Sequence, residues 1–201
     1  YIHTEKIGQR IVVRPTWEEY TPAEDEIVID LDPGAAFGTG AHATTAMCLR
    51  WLERLISPQM RVYDVGCGSG ILAIAASKLG AGEIIAMDYD PVAVTVADEN
   101  IRANNVGNVT AIQSDLLAVC EGAEPAELIT ANIIADIIIR LFDQLDAHLA
   151  PGGVLLASGI IDDRIADVER AAAEHGYTVL DMTCEKEWAA MIIRRSADLE
   201  H

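Results

Sequence analysis

Residues 62–70, VYDVGCGSG, decide the fold of this 201-residue chain. The first four residues are rich in apolar and β-branched side chains, which predicts a buried strand, and three glycines in the next five residues predict a tight turn. The apolar residues 71–79 then predict a helix, which Gly80 ends. A strand that passes through a glycine turn into a helix is typical of open parallel sheets, which bind ligands at the carboxyl ends of their strands.

The same alternation of strands and helices continues to the end of the chain. Further strands are predicted at residues 83–87, 109–113, 127–131, 154–157, 177–183 and 188–194, and further helices at residues 91–104, 136–149 and 162–175. Strands that alternate with long helices indicate a parallel sheet. The last two strands have no helix between them, so one of them is expected to run antiparallel. We therefore predict an α/β fold, with a doubly wound, mostly parallel, seven-stranded Rossmann-like sheet and a C-terminal antiparallel hairpin.

The region before this alternation has a different pattern. Two short apolar stretches, residues 10–13 and 26–31, predict strands or an extended linker, and residues 44–55 have the apolar spacing of a helix. Residues 32–42 lie between the second apolar stretch and this predicted helix, and they are rich in glycine, which predicts a loop. We interpret residues 34–40 of this loop either as a mobile lid or as an ordered connection.

The composition limits the classes of function. The chain has 32 acidic and 14 basic side chains and a net charge of -18, which excludes a free-standing nucleic-acid binder because lysine and arginine must neutralise phosphates. A hydrophobic content of 51% excludes a disordered chain. No apolar run approaches the roughly 20 residues that span a bilayer. The four cysteines lack the spacing of metal ligands, so we predict no metal site and free thiols in a cytoplasmic protein.

The glycine turn indicates a cofactor with a cationic end. Its spacing is G-x-G-x-G rather than the G-x-G-x-x-G of dinucleotide-binding enzymes, and Asp64 lies in the strand just before it. A carboxylate at this place suits the amino group of a methionine moiety and would be awkward beside a pyrophosphate. We therefore predict that Asp64, Gly66, Gly68 and Gly70 bind S-adenosylmethionine, with NAD binding and a turn without a ligand as the alternatives.

Polar residues at the ends of the next two strands extend this predicted site. Asp88 follows the first glycine by about 20 residues, where an acidic residue can bind ribose hydroxyls. Asp90, just before Pro91, is interpreted as a helix N-cap. Ser114 and Asp115 follow the third strand, and they either touch the adenine edge or form a simple turn.

Asn132, at the end of the fourth strand, is the candidate for contact with the reacting groups. Its amide offers a donor and an acceptor to a substrate amine and to the cofactor. Reactants bind at this edge of an open α/β sheet, which favours such a role. The alternative interpretation of Asn132 is a helix cap before Asp136.

Residues 31–45, LDPGAAFGTGAHATT, closely resemble the signature loop of the ribosomal protein L11 methyltransferase family. The segments VGCGSGILAIAASKLGA, MDYDP, TANII, LAPGG and ASGII also look like this family and follow in the same order. The resemblance covers most of the chain. It implies a class I methyltransferase that uses S-adenosylmethionine to methylate lysine side chains and the N-terminal amine of that ribosomal protein.

The resemblance also implies roles for individual residues. Cofactor contacts are expected at Thr45, Gly66, Asp88 and Asn132. Phe37 and His42 are expected to lie over the methyl-transfer site. The reacting lysine must be neutral although its ordinary pKa is about 10.4, so we expect Asn132 to accept a hydrogen bond from the amine, Phe37 to pack over it and His42 to lie near the proton path. His42 is equally well interpreted as a residue that orders the loop.

Members of the family also carry an N-terminal domain that docks the ribosomal protein, and this chain is expected to begin in the linker after that domain. We expect residues 1–31 to be a linker or N-terminal extension, residues 32–198 the catalytic domain and residues 199–201 the remnant of an affinity tag. The expected partner is ribosomal protein L11 before ribosome assembly, with no direct contact to nucleic acid or membrane. The alternatives are a class I methyltransferase for another protein or a small molecule, an NAD-dependent oxidoreductase, and a ribosome-binding module without activity.

Overall fold

The computed structural model describes residues 3–31 and 41–200. The described chain begins with a three-stranded sheet made of β1 (Glu5–Lys6), β2 (Ile11–Pro15) and β3 (Ile27–Leu31). β2 pairs antiparallel with β1 and parallel with β3. Both apolar stretches of this region are therefore strands.

This small sheet is attached to α1 (Ala41–Leu55), and the two share a hydrophobic core. The Glu53 carboxylate on α1 accepts hydrogen bonds from the backbone amides of Gln9, Arg10 and Ile11, at 3.0, 2.6 and 3.1 Å. One side chain thus satisfies three backbone donors at the start of β2, where an unpaired buried amide would be costly.

A seven-stranded sheet forms the centre of the described chain. Its strands are β4 (Val62–Val65), β5 (Ile84–Asp88), β6 (Val109–Gln113), β7 (Ala126–Asn132), β8 (Leu149–Ile161), β9 (Tyr177–Glu185) and β10 (Trp188–Arg195). Their order is β6-β5-β4-β7-β8-β10-β9, and β10 is antiparallel to both of its neighbours, whereas the other pairs are parallel. The predicted fold class, including the C-terminal hairpin, is confirmed.

Helices cover both faces of this sheet. The remaining helices are α2 (Ile71–Lys78), α3 (Pro91–Ala103), α4 (Ala135–His148) and α5 (Ile165–Glu174). Buried residues of α1, α2 and α3 form one hydrophobic cluster with the sheet, and those of α4 and α5 form a second one. All four residues of β4 are buried because helices pack on both of its faces, as expected for a central parallel strand.

β8 is longer than its predicted range of residues 154–157. Residues 151–153, Pro-Gly-Gly, are typical of a turn but lie inside the strand, where Gly152 has a φ of +73° and the pairing with β7 shifts register. Pairing with β10 extends the other end of the strand to Ile161. Residues 150–153 have no register partner in β7 or β10, so the turn preference is kept as a bulge inside the strand, and local sequence does not reveal that pairing resumes after it.

The described residues also bear on the predictions about membrane spans, metal sites and cysteines. No helix within residues 3–31 and 41–200 is long and apolar enough to cross a membrane. In the same residues, no group of three or more His, Cys, Asp or Glu side chains is placed to hold a metal ion. All four cysteines are free thiols, of which Cys184 is exposed and the others are buried.

Candidate functional site

A pocket of about 450 Å³ opens at the carboxyl ends of β4 and β5, which is a volume typical of small-molecule sites. Its walls are formed by Val65, Gly66, Met87, Asp88, Tyr89, Ser114, Asp115, Leu116, Ile133, Ile137 and Arg140. Four predicted cofactor residues, Gly66, Asp88, Ser114 and Asp115, are brought together in this wall. The pocket therefore lies where the strand pattern predicts a ligand.

The glycine turn meets the pocket at Gly66. Gly66 has a φ of +69°, and a Cβ atom at this position would come within 2.3 Å of the Ile133 side chain. A Cβ atom at Gly68 would meet no atom of the described residues within 4 Å. Gly70 packs closely against Ala97 of α3 at the start of α2. Gly66 and Gly70 are required by packing, and Gly68 leaves the backbone accessible to a ligand.

Asp88 organises the edge of the turn. Its Oδ2 accepts a hydrogen bond from the Gly68 amide at 3.0 Å, and its Oδ1 accepts one from the Asp90 amide at 3.0 Å. Each carboxylate oxygen keeps further capacity to accept from ligand hydroxyls. The Asp90 side chain accepts from the Val92 amide at 2.9 Å, which confirms Asp90 as the N-cap of α3.

Asp64 lies directly before this turn and is 2% exposed. Its Oδ1 accepts a hydrogen bond from the Thr130 hydroxyl at 2.8 Å, whereas its Oδ2 is buried without a hydrogen-bond partner among the described residues. Burial raises the pKa of Asp64 from its ordinary 3.8 to about 7, and the negative charge of Asp88 contributes to this increase. A buried carboxylate oxygen without a partner is costly, and a cationic ligand group would satisfy it.

Ser114 and Asp115 form the far wall. The Ser114 hydroxyl donates to the Leu116 carbonyl at 2.8 Å and accepts from the Val119 amide at 3.0 Å, so its polar capacity is used within a turn. The Asp115 carboxylate faces the pocket and lies 3.7 Å from the Arg140 guanidinium. Contact of either residue with an adenine ring remains a prediction.

The candidate reacting groups lie between β7 and α1. The Asn132 Nδ2 atom is 3.4 Å from the Thr45 Oγ1 atom, so these two predicted residues are adjacent. The interpretation of Asn132 as a helix cap is wrong, because Ile134 is the N-cap residue of α4 and no side chain caps this helix. A Cβ atom at Gly159 would lie 3.2 Å from Asn132 Oδ1, so the glycine of β8 leaves the space that the amide occupies.

His42 lies in the first turn of α1 and contacts the N-terminal sheet. Its Nε2 atom is 2.9 Å from the Glu5 carboxylate on β1, which is the kind of contact that an ordering role requires. A place near the proton path remains a prediction. Phe37 and the proposed lid, residues 34–40, lie outside the described residues.

Several pocket residues were not predicted from the sequence. Tyr89 is 73% exposed at the mouth and follows Asp88, so its position after a strand end was a usable signal. Ile133 lies between β7 and α4, and Ile137 and Arg140 lie in the first two turns of α4, so their approach depends on how this helix packs. Thr130 was also missed, since only the register of β4 and β7 brings it to Asp64.

Comparison with known proteins assigns the chain to a family. Residues 1–196 match the family model described as ribosomal protein L11 methyltransferase (PrmA). The chain belongs to the ribosomal protein L11 methyltransferase family. A family member of Caldanaerobacter subterraneus subsp. tengcongensis is 54% identical over 190 residues, which are 94% of this chain and 60% of the relative. One of Heliobacterium modesticaldum is 49% identical over 197 residues, which are 98% of this chain and 62% of the relative.

A solved structure supports the same family assignment. The crystal structure of a ribosomal protein L11 methylase from Lactobacillus delbrueckii subsp. bulgaricus has a TM-score of 0.90 and 36% identity, and the match covers 96% of this chain and 99% of that one. This chain spans about three fifths of the length of the curated relatives named above.

Proposed function

We propose that this chain is the catalytic part of an S-adenosylmethionine-dependent protein methyltransferase, which transfers methyl groups to lysine side-chain and N-terminal amines of ribosomal protein L11. The observation that carries the proposal is the pocket at the ends of β4 and β5, where Gly66 of the glycine turn and Asp88 line one cavity. Membership of the ribosomal protein L11 methyltransferase family supports the reaction and the substrate.

The residues of the pocket wall, together with Asp64 and Gly68, which adjoin the wall residues Val65 and Gly66 in the chain but do not line the pocket, fit this cofactor. The buried Asp64 carboxylate, with one unpartnered oxygen, suits the amino group of the methionine moiety. Asp88 suits the ribose hydroxyls, the open face of Gly68 allows close approach of the ligand, and Ser114 and Asp115 would face the adenine edge. When bound, the cofactor supplies an electrophilic methyl group on a sulfonium centre.

Asn132 is proposed to hold the substrate amine. Its Nδ2 atom faces Thr45, which leaves Oδ1 able to accept a hydrogen bond from an amine N–H and to orient the lone pair. Phe37 would pack over the amine and exclude water, because a desolvated lysine loses its proton more readily. His42 is proposed to lie near the exit of that proton, or to order the loop through Glu5.

The proposed protein partner fits the charge of the chain. The net charge of -18 favours encounter with a lysine-rich protein over contact with RNA. We therefore propose that ribosomal protein L11 is bound before ribosome assembly. We propose that residues 32–198 form the catalytic domain.

Cofactor identity is tested by calorimetry on the 201-residue chain with S-adenosylhomocysteine and with NAD. We expect saturable binding of S-adenosylhomocysteine at micromolar concentration and no binding of NAD, since Asp64 complements an ammonium group and is poorly suited to a pyrophosphate. Binding of NAD alone would favour an oxidoreductase and overturn the proposal.

The role of Asn132 is tested by Asn132→Ala in the full-length enzyme with purified ribosomal protein L11. We expect methylation to fall by at least about 100-fold, because positioning of the amine is lost, while affinity for S-adenosylhomocysteine changes by less than about fivefold. Mass spectrometry of the product identifies the methylated amines. Retained turnover would remove Asn132 from the reaction, and methylation of other acceptors in place of ribosomal protein L11 would favour a different substrate.

A further inference from the structure

The carboxylate of Asp64 has an unusual environment for a buried acid. β4 and β7 run parallel with Asp64 directly beside Thr130, so both side chains stand on the sheet face that α1 and α2 cover. Thr130 is 1% exposed, and its hydroxyl donates to Asp64 Oδ1 at 2.8 Å. The hydrogen bond therefore fixes one oxygen of the carboxylate and leaves Oδ2 unpartnered among the described residues.

The other groups near Asp64 do not replace this hydrogen bond. Asp88 at the end of β5, Cys48 on α1 and Cys67 in the glycine turn interact with it electrostatically, and all three are acids. The amide of Ala73 in α2 faces the carboxylate without completing a hydrogen bond to Oδ2. No lysine, arginine or histidine in the described ranges contributes to its charge balance. Thr130 is thus the side chain that supports the ionised form.

We infer that Thr130 is a positioning residue of the cofactor site, because its hydroxyl fixes Oδ1 of Asp64 and leaves Oδ2 for the ammonium group of the methionine moiety. The inference rests on the proposed function. Thr130 itself is not proposed to touch the cofactor, since its hydroxyl is engaged with Oδ1.

The inference makes affinity depend on pH in a defined direction. Only the ionised carboxylate attracts an ammonium group, and the pKa of Asp64 is about 7, so affinity for S-adenosylhomocysteine should rise with pH until the carboxylate is ionised. The hydrogen bond from Thr130 lowers this pKa, so its removal raises it. A hydrogen bond to a charged group corresponds to about one to two pKa units.

The experiment compares Thr130→Val, which keeps the shape and removes the donor, with Thr130→Ser, which keeps the donor. Calorimetry between about pH 5.5 and about pH 7.5, where the ligand amino group remains largely protonated, measures affinity for two ligands. S-adenosylhomocysteine carries the amino-acid end, and 5′-methylthioadenosine lacks it. Asp64→Asn provides a reference in which nothing titrates at this position.

For the wild-type chain we expect the affinity for S-adenosylhomocysteine to rise and begin to level near pH 7. Thr130→Val should bind it about tenfold more weakly at pH 7, with affinity still rising at the highest pH, whereas Thr130→Ser should follow the wild type. Affinity for 5′-methylthioadenosine should be independent of pH and unchanged in every variant.

Two results would overturn the inference. One is an unshifted pH profile in Thr130→Val, and the other is an equal loss of affinity for both ligands, which would mark a merely structural role. Failure of the wild-type chain to bind either ligand would instead reject the proposed function, so the two failures are distinguishable.

Discussion

Two aspartates, one in the central sheet and one beside it, have opposite environments. At the start of the glycine turn, Asp64 is buried and one of its oxygens has no partner within the described chain. At the C-terminal hairpin, Asp146 on α4 accepts from the Tyr177 hydroxyl at 2.5 Å and from Arg195 Nε at 3.0 Å. Arg195 also donates to three backbone carbonyls around the end of α4. The Asp146 carboxylate is part of a polar cluster whose groups are matched by hydrogen-bond partners, and this cluster supports the fold. The Asp64 carboxylate is unmatched, because one buried oxygen has no partner among the described residues and a ligand would supply one.

The pKa shifts of the two carboxyl groups have opposite signs. Hydrogen bonds from Tyr177 and Arg195 lower the pKa of Asp146. The ionised Asp146 therefore stabilises the fold at any pH above the ordinary pKa of an aspartate, and this stabilisation is lost as the pH falls through the lowered pKa. Burial raises the pKa of Asp64 from 3.8 to about 7, so the folded state binds the extra proton and stability falls as pH rises between these values. This cost is of order 4 kcal/mol above pH 7.

Asp64→Asn should have the largest effect, because it removes the unmatched charge. Affinity for S-adenosylhomocysteine at pH 7.5 should fall by about 100-fold, since an ammonium group loses a buried ionic partner. The free energy of unfolding should rise by at least about 1 kcal/mol at the same pH, because the buried charge is gone. Calorimetry and urea unfolding measure the two quantities.

Asp98→Asn is the matched control for this change. Asp98 is an exposed residue of α3 whose carboxylate pairs with Arg102 at 3.0 Å, so its substitution should alter each quantity only slightly. A loss of stability in Asp64→Asn, with affinity retained, would show that Asp64 is a structural carboxylate like Asp146.

Arg195→Met, in the cluster around Asp146, should lower stability and leave ligand affinity unchanged, which is the reverse of the result expected for Asp64→Asn. We expect the free energy of unfolding to fall by about 2–3 kcal/mol, because hydrogen bonds to Asp146 and to the carbonyls after α4 are lost, and affinity for S-adenosylhomocysteine to stay unchanged. Arg170→Met is the control, because its ion pair with Asp167 at 3.4 Å is exposed and should contribute at most about 0.5 kcal/mol. Equal effects of the two substitutions on unfolding would contradict the structural role of the cluster.

The sequence predicts the sheet and part of the site, but it does not predict the contacts that distinguish Asp64 from Asp146. The sheet was predictable because each central strand carries its own apolar pattern and ends in a turn residue. The positions of Gly66 and Asp88 followed, since the carboxyl ends of neighbouring parallel strands meet at one edge. These signals are local, and each can be read within a few residues.

The unpredicted parts depend on pairing between distant segments. The Thr130 hydroxyl reaches Asp64 because β4 and β7 pair in one particular register, and a shift of one residue would turn it to the other face. The wall formed by Ile137 and Arg140 depends on the packing of α4 against the sheet. The Pro-Gly-Gly segment inside β8 shows the same limit, because pairing with β7 resumes after it and turns a predicted strand boundary into a bulge.

Asp90→Ala should have the smallest effect on stability and ligand affinity. It compares a structural carboxylate, Asp90, with a ligand-facing one, Asp88, within the site itself. Asp88 and Asp90 are separated by one residue, but Asp90 caps α3 through the Val92 amide at 2.9 Å and does not line the pocket. Loss of the cap should lower the free energy of unfolding by about 1 kcal/mol. Affinity for S-adenosylhomocysteine should remain within about twofold of the wild type, because the ligand-facing carboxylate of Asp88 is intact.

Asp90→Ser is the control for the cap, since a serine hydroxyl can accept the same hydrogen bond and should retain most of the stability. Urea unfolding and calorimetry on both variants separate the two quantities. If Asp90→Ala weakened ligand binding more than about tenfold while Asp90→Ser did not, the cap would be transmitting its effect to Asp88 through the Asp90 amide, which donates to Asp88 Oδ1 at 3.0 Å. The distinction between structural and ligand-binding carboxylates would then fail for Asp88 and Asp90, and it would apply only to Asp64 and Asp146.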